Sequence, residues 1–248
     1  MQTQAPPAIA VDIFIPCFID QLFPETGFNM VKVLEKLGCN VHYNPNQTCC
    51  GQPAMNAGFF DDAVEVATKF IDDFSGERFV VAPSASCVGM VRNAYSKLFE
   101  GSLQQAPYNK LRRRVYEFTE FLTMVLKVEK IEGASLKGIA AYHDSCSALR
   151  ECGIFAGPRK LLSNVSGLDL RNIADNDNCC GFGGTFAVKF EAISTAMAAQ
   201  KLENVIAVGA EYIISTDSSC LLQLDAYIRK EKMNIRCLHV ADVLASGW

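Results

Sequence analysis

Short apolar runs alternate with longer amphipathic segments along this chain, and the whole alternation occurs twice. An apolar run opens each half, at residues 11–15 and 138–142. A helical segment closed by glycine, a second strand and a long amphipathic helix then follow, before a third strand at residues 79–82 or 212–215. Strands that alternate with helices at this spacing predict βαβ units with a parallel sheet in each half.

The segment between the two halves, residues 109–128, carries apolar residues along one side and is predicted to be a connecting helix. The sequence therefore predicts an α/β protein with two pseudo-repeated, Rossmann-like domains. We place the domains at residues 1–107 and 136–248, joined by the connecting helix and linker at residues 108–135. The two domains are expected to face each other across the edge at which their strands end.

The cysteines follow the same repeat. The first half contains a Cys…Cys-Cys-Gly…Cys motif, and its counterpart lies 129 to 133 residues later. The repeated cysteines are Cys17, Cys49, Cys50 and Cys87 in the first half, and Cys146, Cys179, Cys180 and Cys220 in the second. Each comes after a predicted strand, and ligands in open parallel sheets collect at the carboxyl ends of the strands. The sequence therefore predicts two sites, each with four thiols.

Four thiols in one place form a soft-metal site, suited to an iron–sulfur cluster or to zinc. Adjacent side chains usually diverge, so paired cysteines reach the several metal atoms of a cluster more easily than one zinc ion. Structural zinc sites also favour Cys-x₂₋₄-Cys knuckles, and this chain contains no Cys-x-x-Cys. Helix starts at Cys87 and Cys220 are expected to favour their thiolate forms. Clusters are the favoured interpretation, with zinc and redox-active or merely buried thiols as alternatives.

Three further cysteines break the repeat, and free cysteine is a common core residue. Cys39, Cys152 and Cys237 are interpreted as structural, with ligation as an alternative for Cys152, which lies six residues after Cys146. His143 lies three residues before Cys146, at a strand end. A satisfied histidine at a domain edge is its favoured interpretation, and a hydrogen bond to a cluster or a bond to iron is the alternative.

Composition and charge limit the expected binding partners and cellular location of this protein. The chain has 248 residues, a formal net charge of −4 and no basic face, which excludes nucleic acid as an expected partner. No run of 18 apolar residues is present to form a transmembrane segment. Residues 1–7 lack the features of a signal peptide, so a cytoplasmic location is expected. The basic run at residues 110–114 is interpreted as a solvated helix face, with docking to a partner or peripheral association with an acidic membrane as the alternative.

Several motifs resemble the cysteine-rich CCG-domain family, and the resemblance covers nearly the whole chain. Four segments carry it: residues 47–54 (QTCCGQPA), 81–87 (VAPSASC), 117–122 (EFTEFL) and 179–187 (CCGFGGTFA). The family includes the cysteine-rich component of heterodisulfide reductase and the iron–sulfur subunits of glycolate oxidase, of anaerobic glycerol-3-phosphate dehydrogenase and of lactate-oxidising complexes. The four segments are most similar to the lactate-oxidising members.

The resemblance implies an iron–sulfur electron-transfer subunit of a complex that oxidises L-lactate to pyruvate. The implied partners are other subunits of that complex, including a ferredoxin-like iron–sulfur protein and a third small protein. Iron–sulfur subunits for glycolate, glycerol 3-phosphate or disulfide chemistry are alternatives within the same class. A zinc-stabilised scaffold protein is the alternative from another class.

Two features depart from the family pattern. In heterodisulfide reductase each motif ends in Cys-x-x-Cys, whereas this chain has Met90 and Gln223 at the final positions. Four repeated cysteines in each half therefore favour one ordinary [4Fe–4S] cluster per half and weaken the case for disulfide reduction. Many relatives place histidine directly after the cysteine that matches Cys146, and this chain has Ser147 there. A labile or altered second site is expected.

Overall fold

The structure is a computed structural model that describes residues 9–248. Residues 1–7, on which the signal-peptide expectation rests, lie outside the described residues. Two four-stranded sheets form the centre of the fold, and every strand pairing in them is parallel. The prediction of an α/β protein with two pseudo-repeated parallel sheets is confirmed.

The first sheet has the strand order β2-β1-β3-β4. Its strands are β1 (Ala10–Ile13), β2 (Asn40–Tyr43), β3 (Phe79–Ala82) and β4 (Val115–Glu117). The helices of this half are α1 (Cys17–Leu22), α2 (Pro24–Lys36), α3 (Gln52–Ala57), α4 (Phe60–Asp73), α5 (Ala85–Gly89), α6 (Tyr95–Leu98), α7 (Gln105–Leu111) and α8 (Phe118–Glu120). Two π-helical segments, Met90–Ala94 and Phe121–Val125, continue α5 and α8.

The second sheet has the order β6-β5-β7-β8 and so repeats the first, strand for strand. Its strands are β5 (Ser135–Tyr142), β6 (Ser166–Arg171), β7 (Tyr212–Ser215) and β8 (Arg236–His239). The helices of this half are α9 (Ala156–Leu162), α10 (Thr185–Lys189), α11 (Glu191–Ala207), α12 (Ser218–Glu231) and α13 (Val240–Leu244). A third π-helical segment, Ser147–Glu151, follows the first motif cysteine of this half.

The long helices form where the sequence places apolar residues every three or four positions. In α4 the buried residues Ala63, Ala67, Phe70 and Ile71 all lie on one face of the helix. This face packs against the sheet. The corresponding helix of the second half, α11, connects β6 to β7 as α4 connects β2 to β3. The two long amphipathic helices and the third strand of each half are thus confirmed.

The prediction of one connecting helix at residues 109–128 is wrong. A strand, β4, lies in the middle of this segment and pairs in parallel with β3. A new helix then begins because Glu117 caps it, its carboxylate accepting hydrogen bonds from the backbone N–H groups of Thr119 and Glu120 at 2.8 and 3.1 Å. The apolar positions that indicated one helical face therefore belong to a buried edge strand and to a separate short helix.

The two halves share one hydrophobic core, to which Val11 and Met30 contribute from the first half and Ala140 and Leu244 from the second. Helix α2 packs against α13, where Thr26 and Asn29 each donate a hydrogen bond of 3.0 Å to the Asp242 carboxylate. The proposed domain boundaries stay a prediction. Within residues 9–248, no helix has the length and apolar composition needed to cross a membrane.

Candidate metal centres

The structure places every predicted site cysteine after a strand, at the carboxyl edge of its sheet. We call the first-half set the first centre and the second-half set the second centre. In the first centre, Cys17 begins α1, Cys49 and Cys50 precede α3, and Cys87 lies within α5. In the second, Cys146 follows β5, Cys179 and Cys180 precede α10, and Cys220 lies in the first turn of α12. The structure brings the four thiols of each set together, whereas their role as ligands stays a prediction.

The sulfur atoms of the first centre form a chain of contacts. The Cys17 and Cys50 thiols both hydrogen-bond to Cys49, and Cys50 also contacts Cys87. These two hydrogen bonds, helped by the Gly51 backbone N–H at 3.3 Å, lower the pKa of Cys49 to about 2. The hydrogen bond between Cys17 and Cys49 is the main reason why the pKa of Cys17 lies above its ordinary value, and burial is the second reason. These hydrogen bonds therefore favour the thiolate form at Cys49 over Cys17 and Cys50.

The second centre repeats this chain of contacts. The Cys146 and Cys180 thiols hydrogen-bond to Cys179, whose pKa falls to about 2, and the Gly181 N–H donates to its sulfur at 3.4 Å. A hydrogen bond from Cys180 has the largest single effect and lowers the pKa of Cys220, but burial and the negative charges of Asp217 and Cys179 together raise it above its ordinary value. The start of α12 therefore does not by itself bring the net pKa of Cys220 below the ordinary value.

The glycine after each cysteine pair has a backbone conformation that other residues rarely adopt. The φ angles of Gly51 and Gly181 are 83° and 91°. A Cβ atom on Gly181 would lie only 2.5 Å from the backbone oxygen of Ser194 in α11. These glycines let the chain turn close to the following helix and direct an N–H group at the thiolate sulfur.

Hydrogen bonds fix the first cysteine pair to the sheet. The Ile15 backbone N–H donates to Gln47 Oε1 at 2.7 Å, and Gln47 Nε2 donates to the Ile13 carbonyl at 3.3 Å. The Tyr95 hydroxyl donates to the Cys50 carbonyl at 2.9 Å. The loop that carries the pair is therefore attached to the end of β1, next to Cys17.

A buried ion pair fixes the loop of the second centre. Asp144, two residues before Cys146, accepts hydrogen bonds from both terminal nitrogens of Arg159, at 2.7 and 2.5 Å. Its carboxylate also accepts one from Asn176 Nδ2 at 2.8 Å. Asn176 lies in the loop that leads to the second cysteine pair, so Asp144 joins three parts of the site. Sequence reasoning did not single out this positioning role, because Arg159 and Asn176 are distant in sequence.

His143 lies beside the second centre, and its environment contradicts the favoured interpretation. The side chain is completely buried. The Asn176 backbone carbonyl lies near enough to raise the pKa of the ring, but neither ring nitrogen makes a hydrogen bond of regular geometry among residues 9–248. Burial lowers the pKa of His143 to about 3, so the ring is neutral. One ring nitrogen and the sulfur atoms of Cys180 and Cys220 all lie within 4.8 Å of one another. The expectation of a satisfied histidine is therefore wrong.

The three cysteines outside the repeat lie in the hydrophobic core. Cys39 and Cys152 are buried in it, and Cys237 packs against it. The Cys152 thiol donates to the Ala85 carbonyl at 3.5 Å. Burial raises the pKa of both Cys152 and Cys237 to about 12, so neither thiol is predisposed to bind a metal.

A cavity opens at each centre. The cavity of the first centre has a volume of about 260 Å³ and includes Cys17, Cys49, Asp20 and Gln47 in its lining. The cavity of the second centre has a volume of about 130 Å³ and includes Cys179, Asn178, Gln200 and Lys201. Both centres are thus reachable from solvent on one side.

The donor set of each centre fits a soft metal. Each provides four sulfur donors linked by successive contacts, and in each a backbone N–H donates to the first sulfur of the cysteine pair. Thiolate sulfur is the form that binds soft metals. The second centre adds a buried nitrogen donor without another partner. Hard ions such as Mg²⁺ and Ca²⁺ prefer oxygen ligands and do not fit either set.

Comparison with known proteins gives the same repeat. The family described as "CCG: Cysteine-rich domain" matches residues 11–92 and 140–225. Lactate utilization protein A 2 of Bacillus cereus (strain Q1) is 40% identical over 240 residues, which is 96% of this chain and 98% of that protein. Lactate utilization protein A of Geobacillus kaustophilus (strain HTA426) is 41% identical over 235 residues, covering 94% of this chain and 98% of that protein.

Among solved structures, a hypothetical protein from Helicobacter pylori is similar with a TM-score of 0.61 and 11% sequence identity. The match covers 98% of this chain, which spans about half, 49%, of that protein. At this identity the likeness supports the fold alone. The family match and the near full-length relatives together show that this chain belongs to the CCG cysteine-rich domain family, and within it to the lactate utilization protein A group.

Proposed function

We propose that this chain is an iron–sulfur electron-transfer subunit of a complex that oxidises L-lactate to pyruvate. The observation that carries the proposal is the pair of matching four-thiol sites at the strand ends, in a chain about 40% identical to lactate utilization protein A over nearly its full length. The name of those relatives supports the substrate, and the donor chemistry supports the cofactor.

One [4Fe–4S] cluster in each half is the cofactor of this proposal. The ligands would be Cys17, Cys49, Cys50 and Cys87 in the first centre and Cys146, Cys179, Cys180 and Cys220 in the second. Such clusters supply one-electron redox chemistry when bound. The chain itself holds the ligands at the strand ends, donates the Gly51 and Gly181 N–H groups to sulfur, and buries the sites on one side.

The first centre is the proposed exit to a partner protein. Cys17 is exposed, whereas Cys146 at the matching position is only partly exposed. Electrons would pass from here to a ferredoxin-like iron–sulfur subunit of the same complex, in the cytoplasm. Exposure of the ligand supports this assignment because electron transfer between proteins requires close approach of the two cofactors.

The cofactor is tested on full-length protein purified without oxygen. We expect about eight iron and eight sulfide per chain, absorption near 400 nm, and an EPR signal after reduction. Four sulfur donors are also the ligand set of one structural zinc ion per half, as in a zinc-stabilised scaffold. About two zinc per chain without sulfide would replace our proposal by that one.

The substrate is tested with the assembled complex. Addition of L-lactate is expected to reduce the clusters of this subunit, seen as bleaching of the visible absorption. Glycolate and glycerol 3-phosphate are the matched controls, since related iron–sulfur subunits serve those substrates. Reduction by either of them, and none by L-lactate, would contradict the assigned substrate while leaving the cofactor in place.

A further inference from the structure

His143 is a buried polar side chain that has no partner within the described part of the chain. It follows directly after β5, and its backbone N–H donates to the Ile214 carbonyl at 2.8 Å, so the backbone is in regular sheet pairing. The ring is completely buried, and neither nitrogen makes a hydrogen bond of regular geometry to another described residue. A buried donor or acceptor without such a bond is costly, and such groups in native proteins call for an explanation.

The first half supplies an internal control for this position. Phe14 follows directly after β1, and its backbone N–H donates to the Val81 carbonyl at 3.0 Å. This bond in the first sheet corresponds to the bond between His143 and Ile214 in the second sheet. The Phe14 side chain is buried against Phe70, with ring centroids 4.8 Å apart. The fold thus accepts a purely apolar ring at this position, so the nitrogens of His143 are not needed for folding and point to a local role.

The second centre lies next to this ring. One His143 nitrogen and the sulfur atoms of Cys180 and Cys220 are mutually within 4.8 Å. Metal–sulfur bonds measure about 2.3 Å and metal–imidazole bonds about 2.0–2.1 Å, so two ligands of one tetrahedral metal atom lie about 3.5–3.8 Å apart. The three atoms could therefore bind one metal atom after movements of no more than about 1 Å.

We propose that His143 is a ligand of the second centre, with a ring nitrogen bound to a metal atom beside Cys180 and Cys220. An ordinary [4Fe–4S] cluster takes one protein ligand per iron, so the His143 nitrogen would be a fifth ligand of the second centre, whereas the first centre is held by four sulfurs alone. This added donor makes the reduction potentials of the two centres unequal. The nature of the metal rests on the proposed function, whereas the nitrogen ligand itself does not.

Pulsed EPR on reduced, full-length protein with ¹⁵N-labelled histidine tests this ligand. We expect a strong nitrogen hyperfine coupling on one of the two cluster signals, and this coupling should change with the isotope. In His143→Phe, which copies Phe14, the coupling should be lost and the midpoint potential of that signal should change. His42→Gln, in the edge strand β2, is the matched control and should keep the coupling.

Two outcomes would overturn the nitrogen ligand. Clusters without an isotope-sensitive coupling in the wild type would show that no histidine binds them, and this measurement does not depend on whether His143→Phe folds. A weak coupling only, typical of a hydrogen bond to sulfur, would likewise contradict a metal–nitrogen bond. If no iron is found, the proposed function fails separately, and the same experiment on the Co²⁺-loaded chain still decides the role of His143.

Discussion

The two centres share one backbone plan but differ in the layer beneath their cysteines. Under the first centre, Phe14 and Phe70 stack edge to face. Under the second, the same positions hold His143 and Lys201. The matched glycines show how α4 and α11 align. Gly51 lies against Ala63 and Val66 of α4, and Gly181 lies against Ser194 and Met197 of α11. Ala63 thus matches Ser194, Val66 matches Met197, and one turn later Phe70 matches Lys201.

Lys201 makes the difference an electrostatic one. The side chain is only 2% exposed, and its ammonium group donates to the Asp175 carbonyl. Burial lowers the pKa of Lys201. The side chains beneath the first centre are therefore two aromatic rings, whereas those beneath the second are an imidazole and a lysine side chain. The fold fixes the positions of the sulfurs, whereas this second layer sets their electronic environment, which is how proteins tune metal centres.

The largest test of this comparison removes one ligand from each centre in turn. Cys49→Ser and Cys180→Ser should each lose the iron of their own half, about half of the total, because each removes a sulfur donor from one site only. Cys237→Ser, outside the repeat, should lose none. Iron analysis and EPR on anaerobically purified protein measure the result. Loss of iron in Cys237→Ser as complete as in Cys49→Ser would contradict the assignment from the repeat.

The second test concerns the helix starts that carry Cys87 and Cys220. Asp217 precedes α12 as Ser84 precedes α5, and the Ser84 hydroxyl donates to the Asp217 carboxylate at 3.4 Å. Asp217 is the residue on which the hydrogen bonds between the two halves converge. Its carboxylate accepts hydrogen bonds from the Ser86 N–H and hydroxyl at 3.0 and 2.7 Å, and from the Ser145 hydroxyl at 3.0 Å.

Asp217→Ala should therefore lower the free energy of unfolding by about 3–5 kcal/mol, since the donors of Ser84, Ser86 and Ser145 all lose this acceptor. Ser84→Ala removes a cap whose hydroxyl accepts from the Cys87 N–H at 3.4 Å, and should cost about 1 kcal/mol. Urea denaturation measures both. Equal costs for the two variants would argue that Asp217 is only another helix cap.

The repeat explains how much of this could be predicted from the sequence. The motif cysteines recur at a nearly constant offset and follow strands, so their convergence needed no knowledge of side-chain packing. The strands β3 and β7 were predictable at their observed bounds because they are continuous apolar runs. The edge strand β4 was not, since three residues show no periodicity and their burial depends on pairing with β3.

The layer beneath the cysteines could not be predicted either. Lys201 reads as a charged residue on an amphipathic helix, and only the packing of α11 against the sheet buries it. Likewise, nothing in the sequence around His143 shows that its nitrogens lack partners. Both facts arise from contacts between residues that are far apart in the chain, where the two halves have the same shape and different chemistry.

The third test uses the matched glycines. Gly181→Ala should destabilise the protein by about 2–4 kcal/mol, because its φ of 91° strains an alanine and the new Cβ would lie 2.5 Å from the Ser194 oxygen. Gly51→Ala should cost only about 1–2 kcal/mol, since its Cβ would meet nothing closer than 3.5 Å. Thermal unfolding of the two variants compares them. A larger cost at Gly51 would show that the two turns are not packed as described.

The smallest test compares the ends of the fourth strands, where Glu117 and His239 correspond and each caps the next helix. Burial raises the pKa of Glu117 from 4.5 to about 8. The folded state therefore keeps a proton that the unfolded state releases above pH 4.5, so this contribution to stability is complete below pH 4.5 and is lost as the pH rises through 8. For His239, whose pKa burial lowers, the sign is opposite.

Glu117→Gln removes the titrating group but keeps an oxygen that accepts from the Thr119 and Glu120 N–H groups. Between pH 5 and 8 the wild type should lose roughly 2–3 kcal/mol of stability relative to this variant. Urea denaturation at several pH values measures the difference, in which the contribution of His239 cancels because both proteins contain it. If the difference in free energy of unfolding between the two proteins stays constant with pH, Glu117 is already ionised in the folded protein. The first half would then keep a charge at the end of its fourth strand, unlike the second half.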